Sequence, residues 1–174
     1  MGFVISARSS DAAANLEQVR DVIKSFIDKY ATHRLNYGII AYGLKPSVEL
    51  TLVDSSKPDV KQRVDSIRIP PGTPDLAKAL ELGEKLLIPG RPDAKKVLII
   101  ITDVKSGSWP TKVKLAVESL TDKDIRIFAV ALGNEADPSE LAIASGSSES
   151  TINSSNTDEP ERIREILMEK VRQG

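Results

Sequence analysis

The feature that most constrains the fold is a set of almost continuous apolar runs rich in β-branched residues. The two longest runs are Val97–Ile101 and Ile125–Ala131, and a shorter one is Phe3–Ile5. Runs of this kind are typical of strands inside a parallel sheet that is covered on both faces. Leu35–Tyr42 and Val48–Val53 are two further predicted strands. The short loop between them contains Gly and Pro and indicates a hairpin, which would add one antiparallel edge strand.

The segments between these strands have helical periodicity. Residues 11–31, for example, carry apolar side chains on one helical face, and Pro110, Pro138 and Pro160 stand where later helices would begin. Thr73 followed by Pro74 predicts the start of another helix. The Ser- and Asn-rich stretch 145–157 indicates a loop around a short last strand.

Alternation of strands and helices predicts βαβ crossovers. We therefore expect a single α/β domain over residues 1–174: a three-layer, doubly wound, mainly parallel six-stranded sheet with one antiparallel edge strand and helices on both faces.

The composition excludes several functional classes. The net charge is −1, and no Lys/Arg run exceeds Lys95–Lys96, so neither nucleic acid nor an anionic membrane surface is an expected partner. The absence of cysteine excludes disulfides and thiolate zinc sites. Since no apolar stretch approaches the ~20 residues that span a bilayer, membrane insertion is not expected.

Ligands of doubly wound sheets bind at the carboxyl ends of the strands. The segments expected to converge there are Ser6–Ser10, the loop around Thr73, and the loop that begins at Asp103. Trp109, the only tryptophan, belongs to the last of these loops. It could anchor a protein interface, for which tryptophan is favoured, or it could fold down and cap the sheet.

The same segments resemble the von Willebrand factor A family, also called integrin I-like, and the resemblance covers essentially the whole chain. Family members have a strand ending in Asp-x-Ser-x-Ser, a hairpin with a Tyr near its bend, a Gly-Gly-Thr loop that opens a helix, and a strand ending in Thr-Asp-Gly. The matching segments here are Phe3–Ser10, Tyr42–Gly43, Pro71–Leu80, Val97–Asp103 and Ile127–Asn134.

The resemblance implies a metal-ion-dependent adhesion site, in which Mg²⁺ or Mn²⁺ is completed by an acidic residue of the partner. Ser10, Thr73 and Asp103 match the family's metal ligands, and would hold an ion if any binds. However, Ser6 stands where the first Asp is expected, Arg8 where the first Ser is expected, and Val104 replaces the Gly.

These departures predict that magnesium or manganese binds weakly or not at all. A hard cation requires oxygen ligands, and only one carboxylate, Asp103, remains. A guanidinium ~4 Å from a divalent ion, at an effective dielectric constant of ~20, repels it by roughly 8 kcal/mol, which equals a micromolar binding free energy. We favour a guanidinium of Arg8 that takes the metal's place and pairs with Asp103; the alternative is a solvated Arg8.

The resemblance implies a non-enzymatic protein-binding module of an extracellular matrix or cell-adhesion protein that works without a metal. Its partner would be a protein, for example a matrix protein such as collagen. The expected binding surface includes Ser6, Arg8, Ser10, Thr73, Asp103 and Trp109. The alternative function is an intracellular scaffold domain of a multiprotein complex. No acid/base pair indicates an enzyme, and Asn153 begins a glycosylation sequon that matters only if the protein is secreted.

Overall fold

The computed structural model describes residues 1–154 and 159–173, and within them the predicted strands form one six-stranded sheet. The strands are β1 (Gly2–Ser6), β2 (Asn36–Tyr42), β3 (Pro46–Asp54), β4 (Lys96–Thr102), β5 (Ile125–Ala131) and β6 (Thr151–Asn153). Their order is β3-β2-β1-β4-β5-β6, and β3 is the antiparallel edge strand. The predicted doubly wound, mainly parallel architecture is therefore confirmed.

Helices cover both faces of this sheet. They are α1 (Ala12–Lys29), α2 (Val60–Asp65), α3 (Leu76–Leu87), α4 (Pro110–Asp122), α5 (Pro138–Ser145) and α6 (Pro160–Gln173). Phe3 and Ile5 of β1 belong to the core under α1, α2 and α6, whereas Val4 belongs to the core under α3, α4 and α5. Because successive strand residues point to opposite faces, a strand covered on both sides must be apolar throughout.

The start of α3 differs from the sequence prediction. Asp75, not Thr73, is the N-cap residue, and its carboxylate accepts a hydrogen bond from the main-chain N–H of Lys78 at 3.2 Å. The N–H of Asp75 itself donates to the carbonyl of Gly43 at 2.9 Å. This bond ties the segment before α3 to the residue that follows β2. The N-cap of the helix therefore lies two residues later than the sequence predicts.

Within residues 1–154 and 159–173, none of the helices combines the length and the apolar character that crossing a membrane requires.

Candidate binding rim

Loops at the carboxyl ends of the parallel strands form one continuous edge of the domain. We call this edge the binding rim and define it by residues 6–10, 72–75, 103–109 and 133–140. The first three segments are those that the sequence predicted to converge. The fourth follows β5 and was missed, although the rule that parallel strands end at the same edge could have identified it.

Asp103 is the buried centre of the rim, with no side-chain exposure to solvent. Its carboxylate accepts the main-chain N–H groups of Arg8 at 2.7 Å and Ser9 at 3.2 Å. It also accepts the hydroxyl of Ser9 at 2.6 Å and the side-chain amide of Asn15 at 3.0 Å. Three of these donors reach Oδ2 and one reaches Oδ1, so the buried carboxylate is stabilised by polar groups of the β1–α1 segment and of α1.

The predicted ion pair between the guanidinium of Arg8 and the carboxylate of Asp103 is wrong. The main-chain N–H of Arg8, not its guanidinium, contacts the carboxylate, and the side chain of Arg8 is exposed. Ser9, which the motif comparison passed over, supplies the hydroxyl instead.

The three hydroxyl residues suggested as ligands lie in different surroundings. Ser6 is buried and donates to the carbonyl of Tyr42 at 2.8 Å. Ser10 donates its hydroxyl to Glu135 at 2.6 Å and its N–H at 3.1 Å. Thr73 is exposed on the neighbouring loop, where its methyl group lies against Gly107. The hydroxyls of Ser6 and Ser10 thus donate to acceptors other than Asp103.

These donors and acceptors do not fit a Mg²⁺ or Mn²⁺ site. Of the Asp103 oxygens, Oδ2 accepts three protein donors and Oδ1 accepts one, and the hydroxyls of Ser6 and Ser10 donate to other protein acceptors. Such an ion requires near-octahedral oxygen ligands that are free to bind it. Among residues 1–154 and 159–173, no group of three or more His, Asp or Glu side chains is placed to hold a metal ion.

Trp109 lies on the outer surface of the rim, and 72% of it is exposed. It borders a groove of about 390 Å³ between the β4–α4 loop and the start of α5. The alternative in which this ring caps the sheet does not apply. An exposed tryptophan beside a groove is a feature typical of interface anchors.

A second set of hydrogen bonds fixes the loop that carries Trp109. Glu140 accepts the N–H of Ser106 at 3.0 Å and its hydroxyl at 2.7 Å. On the other side, the hydroxyl of Ser108 donates to Asp75 at 2.8 Å. Both ends of the short loop next to Trp109 are thus held by carboxylates, one from the N-cap residue of α3 and one from α5.

The carboxylates of Glu140 and Asp103 also affect the pKa of the buried phenol of Tyr42. Burial raises the pKa of Tyr42 well above its ordinary value, and the charges of Glu140 and Asp103 raise it further, against a hydrogen bond with Thr102 that lowers it. The phenol is therefore neutral under all ordinary conditions.

Ser10 should control the acidity of Glu135. The hydroxyl and N–H of Ser10 hold the pKa of Glu135 below the usual glutamate value, against smaller opposing effects of desolvation and of Asp103. We expect Ser10→Ala to raise this pKa towards the ordinary value, because the hydroxyl makes the largest contribution. Carbon-detected NMR titration of the carboxylate measures it. An unchanged midpoint in Ser10→Ala, with Ser139→Ala as the matched rim control, would contradict the assignment.

Comparisons with known proteins agree with this geometry. A family model described as von Willebrand factor type A domain matches residues 3–168. The chain belongs to the von Willebrand factor A family. Domains of this family generally serve as interaction modules rather than as enzymes.

One relative and several solved structures are similar to this chain. The mouse collagen alpha-1(XX) chain is 30% identical over 148 residues, which cover 81% of this chain but 11% of that protein. Proximal thread matrix protein 1 from the mussel byssus has a TM-score of 0.79 at 21% identity, covering 97% of this chain and 44% of that one. A further structure of it is described as having a zinc-occupied MIDAS motif. Manganese-loaded Plasmodium vivax TRAP protein has a TM-score of 0.76 at 14% identity, and the match covers 95% of this chain and 70% of that one.

Proposed function

We propose that this domain is a protein-binding adhesion module that engages its partner through the binding rim without a bridging metal. The observation that carries the proposal is that Trp109 is exposed on the loop whose first residue, Asp103, is buried and accepts four protein donors. In a metal-bridged contact the carboxylate would have to exchange protein donors for an ion, at a desolvation and hydrogen-bond cost. Direct contact with the indole requires no such exchange.

We further propose an extracellular setting and a matrix protein, such as collagen, as the partner. The support comes from relatives whose names place them in matrix material, a collagen chain and a byssal thread matrix protein. The chain spans about a tenth of that collagen and less than half of the thread protein. In such a setting the exposed Asn153 at the end of β6 would be open to glycosylation; the third residue of its sequon, Ser155, lies outside the described residues.

Binding to immobilised fibrillar collagen tests the proposal. We expect the same affinity for collagen in EDTA and in about 1 mM Mn²⁺. That Mn²⁺ concentration would saturate a metal site of micromolar Kd. Trp109→Ala should weaken binding by about 2 kcal/mol, roughly 30-fold, because central tryptophans are typical hot spots. Leu115→Ala is the matched control, since Leu115 is 66% exposed on α4 but does not line the groove.

Three outcomes would overturn different parts of the proposal. Loss of binding in EDTA would restore a metal-bridged contact. Equal affinity of Trp109→Ala and the native domain would place the interface away from the rim. Absence of binding to collagen and to other purified matrix proteins would remove the adhesive function itself.

A further inference from the structure

We propose that the groove beside Trp109 binds an arginine side chain of the protein partner. This inference rests on the proposed function and specifies the chemistry of the same surface. We call it the Trp109 groove and define it by its lining. Its apolar walls are Trp109, Pro110, Val113 and Ile143, and its charged residues are Lys105, Asp137 and Glu140.

The charges of the Trp109 groove are not balanced. Lys105 pairs with Asp137 at 3.1 Å, so these two charges compensate each other. Glu140 is partly buried, accepts only neutral donors from Ser106, and has no cation within 4.0 Å among the described residues. The groove therefore carries one uncompensated negative charge. Charge complementarity selects a cationic occupant.

Glu140 still has hydrogen-bonding capacity. Each carboxylate oxygen can accept about two hydrogen bonds, and each oxygen of Glu140 accepts one from Ser106. A guanidinium presents its N–H groups as a planar fork that matches the two oxygens of a carboxylate. A strongly hydrated ammonium matches this arrangement less well, which favours arginine over lysine.

Trp109 supplies the second half of the recognition. A guanidinium is attracted to the face of an indole, and arginine also packs its apolar stem against aromatic and aliphatic surfaces. The volume of about 390 Å³ lies at the lower end of the range for small-ligand sites, ~300–1,000 Å³. It suits one long side chain with its flanking backbone.

The surroundings of the Trp109 groove reinforce the preference. Asp103 and Glu135 lie on the same rim and also have no ion-pair partner among the described residues. Arg8 is exposed on the rim but does not line the groove, and Lys105, the cation that does line it, is paired with Asp137. An acidic side chain of a partner would thus meet Glu140 without an unpaired cation to receive it. The family's metal site binds an acidic residue of the partner, whereas the Trp109 groove would bind a basic one.

Fluorescence of the only tryptophan reports directly on this groove. The native domain is titrated with acetyl-Gly-Pro-Arg-Pro-Gly-amide and with the same peptide carrying norleucine or Glu in place of Arg. We expect a saturable change with the Arg peptide, weaker in higher salt, at least tenfold weaker binding of the norleucine peptide, and no response to the Glu peptide.

Glu140→Gln is expected to weaken binding of the Arg peptide about tenfold, the effect of losing a charge-assisted hydrogen bond. The affinity for the norleucine peptide should not change. Glu118→Gln, on the exposed face of α4 and outside the groove, is the matched control. Equal responses to the Arg, norleucine and Glu peptides would overturn the inference. So would an unchanged Arg affinity in Glu140→Gln, or a fluorescence change on dilution without peptide, which would assign the groove to a second copy of the chain.

The collagen assay separates this inference from the proposed function. If Trp109→Ala loses collagen binding while the Arg peptide produces no response, the rim is the interface and only the arginine assignment fails. If Trp109→Ala retains collagen binding, the proposed function fails whatever the peptides do.

Discussion

Asp103→Asn is expected to lower the free energy of unfolding by about 3 kcal/mol. The native carboxylate is fully buried and accepts four hydrogen bonds, two of them from the main chain of Arg8 and Ser9. The amide that replaces it keeps one acceptor oxygen and turns an N–H₂ group towards other donors. Buried donors left without an acceptor cost about 1–3 kcal/mol each, and bonds to a charged group are the stronger kind.

Urea denaturation and thermal melting measure this loss. For a domain of this size, about 3 kcal/mol corresponds to a fall in Tm of about 6–12 °C. Asp122→Asn is the matched control, because Asp122 is exposed at the end of α4 and substitutions at such positions change stability by less than about 0.5 kcal/mol. Equal urea midpoints for Asp103→Asn and the native domain would show that the four bonds contribute nothing net.

The sequence predicted the fold because its strongest signals are produced by burial itself. Val97–Ile101 is apolar at every position since β4 is central and covered on both faces. The short β6 was predicted only as part of a loop-rich stretch, because a three-residue strand carries little periodic signal. Edge strand β3 mixes exposed and buried positions; it was predicted as the strand Val48–Val53, and its antiparallel direction was inferred from the short hairpin loop before it.

The convergence of the three loops was predicted correctly, but the contacts of Asp103 were not. Motif comparison assigns roles by side-chain type, and it therefore gave Arg8 a charge-pairing role. The contacts of Asp103 depend instead on loop geometry, which presents the main-chain N–H groups of Arg8 and Ser9. Asn15, Glu135 and Glu140 were missed for the same reason, since single polar residues at helix starts and strand ends become distinctive only when the loops are placed together.

Gly43→Ala is expected to destabilise the domain by about 3 kcal/mol and to displace one side of the rim. Gly43 is buried between β2 and the loop that precedes Gly72, and a Cβ atom there would lie 2.2 Å from the carbonyl oxygen of Pro70 and 2.5 Å from that of Pro71. These neighbours are main chain, so they cannot rotate away as a side chain would. Forced overpacking costs about 1–3 kcal/mol, and backbone displacement places this site at the upper end.

Hydrogen exchange distinguishes displacement from a general loss of stability. The N–H of Leu44 donates to Pro71 at 3.0 Å and the N–H of Asp75 donates to Gly43 at 2.9 Å, so Gly43→Ala should accelerate exchange at these two amides more than in the centre of β4. Gly107→Ala is the matched rim control, because the closest contact of its added methyl group would be the methyl group of the exposed Thr73 side chain, and the main-chain carbonyl of Pro74 would lie at an ordinary van der Waals distance of 3.8 Å. Uniform acceleration in Gly43→Ala would mean that the loop moves with the whole sheet, whereas selective exchange would mean that this contact with β2 holds the loop in place.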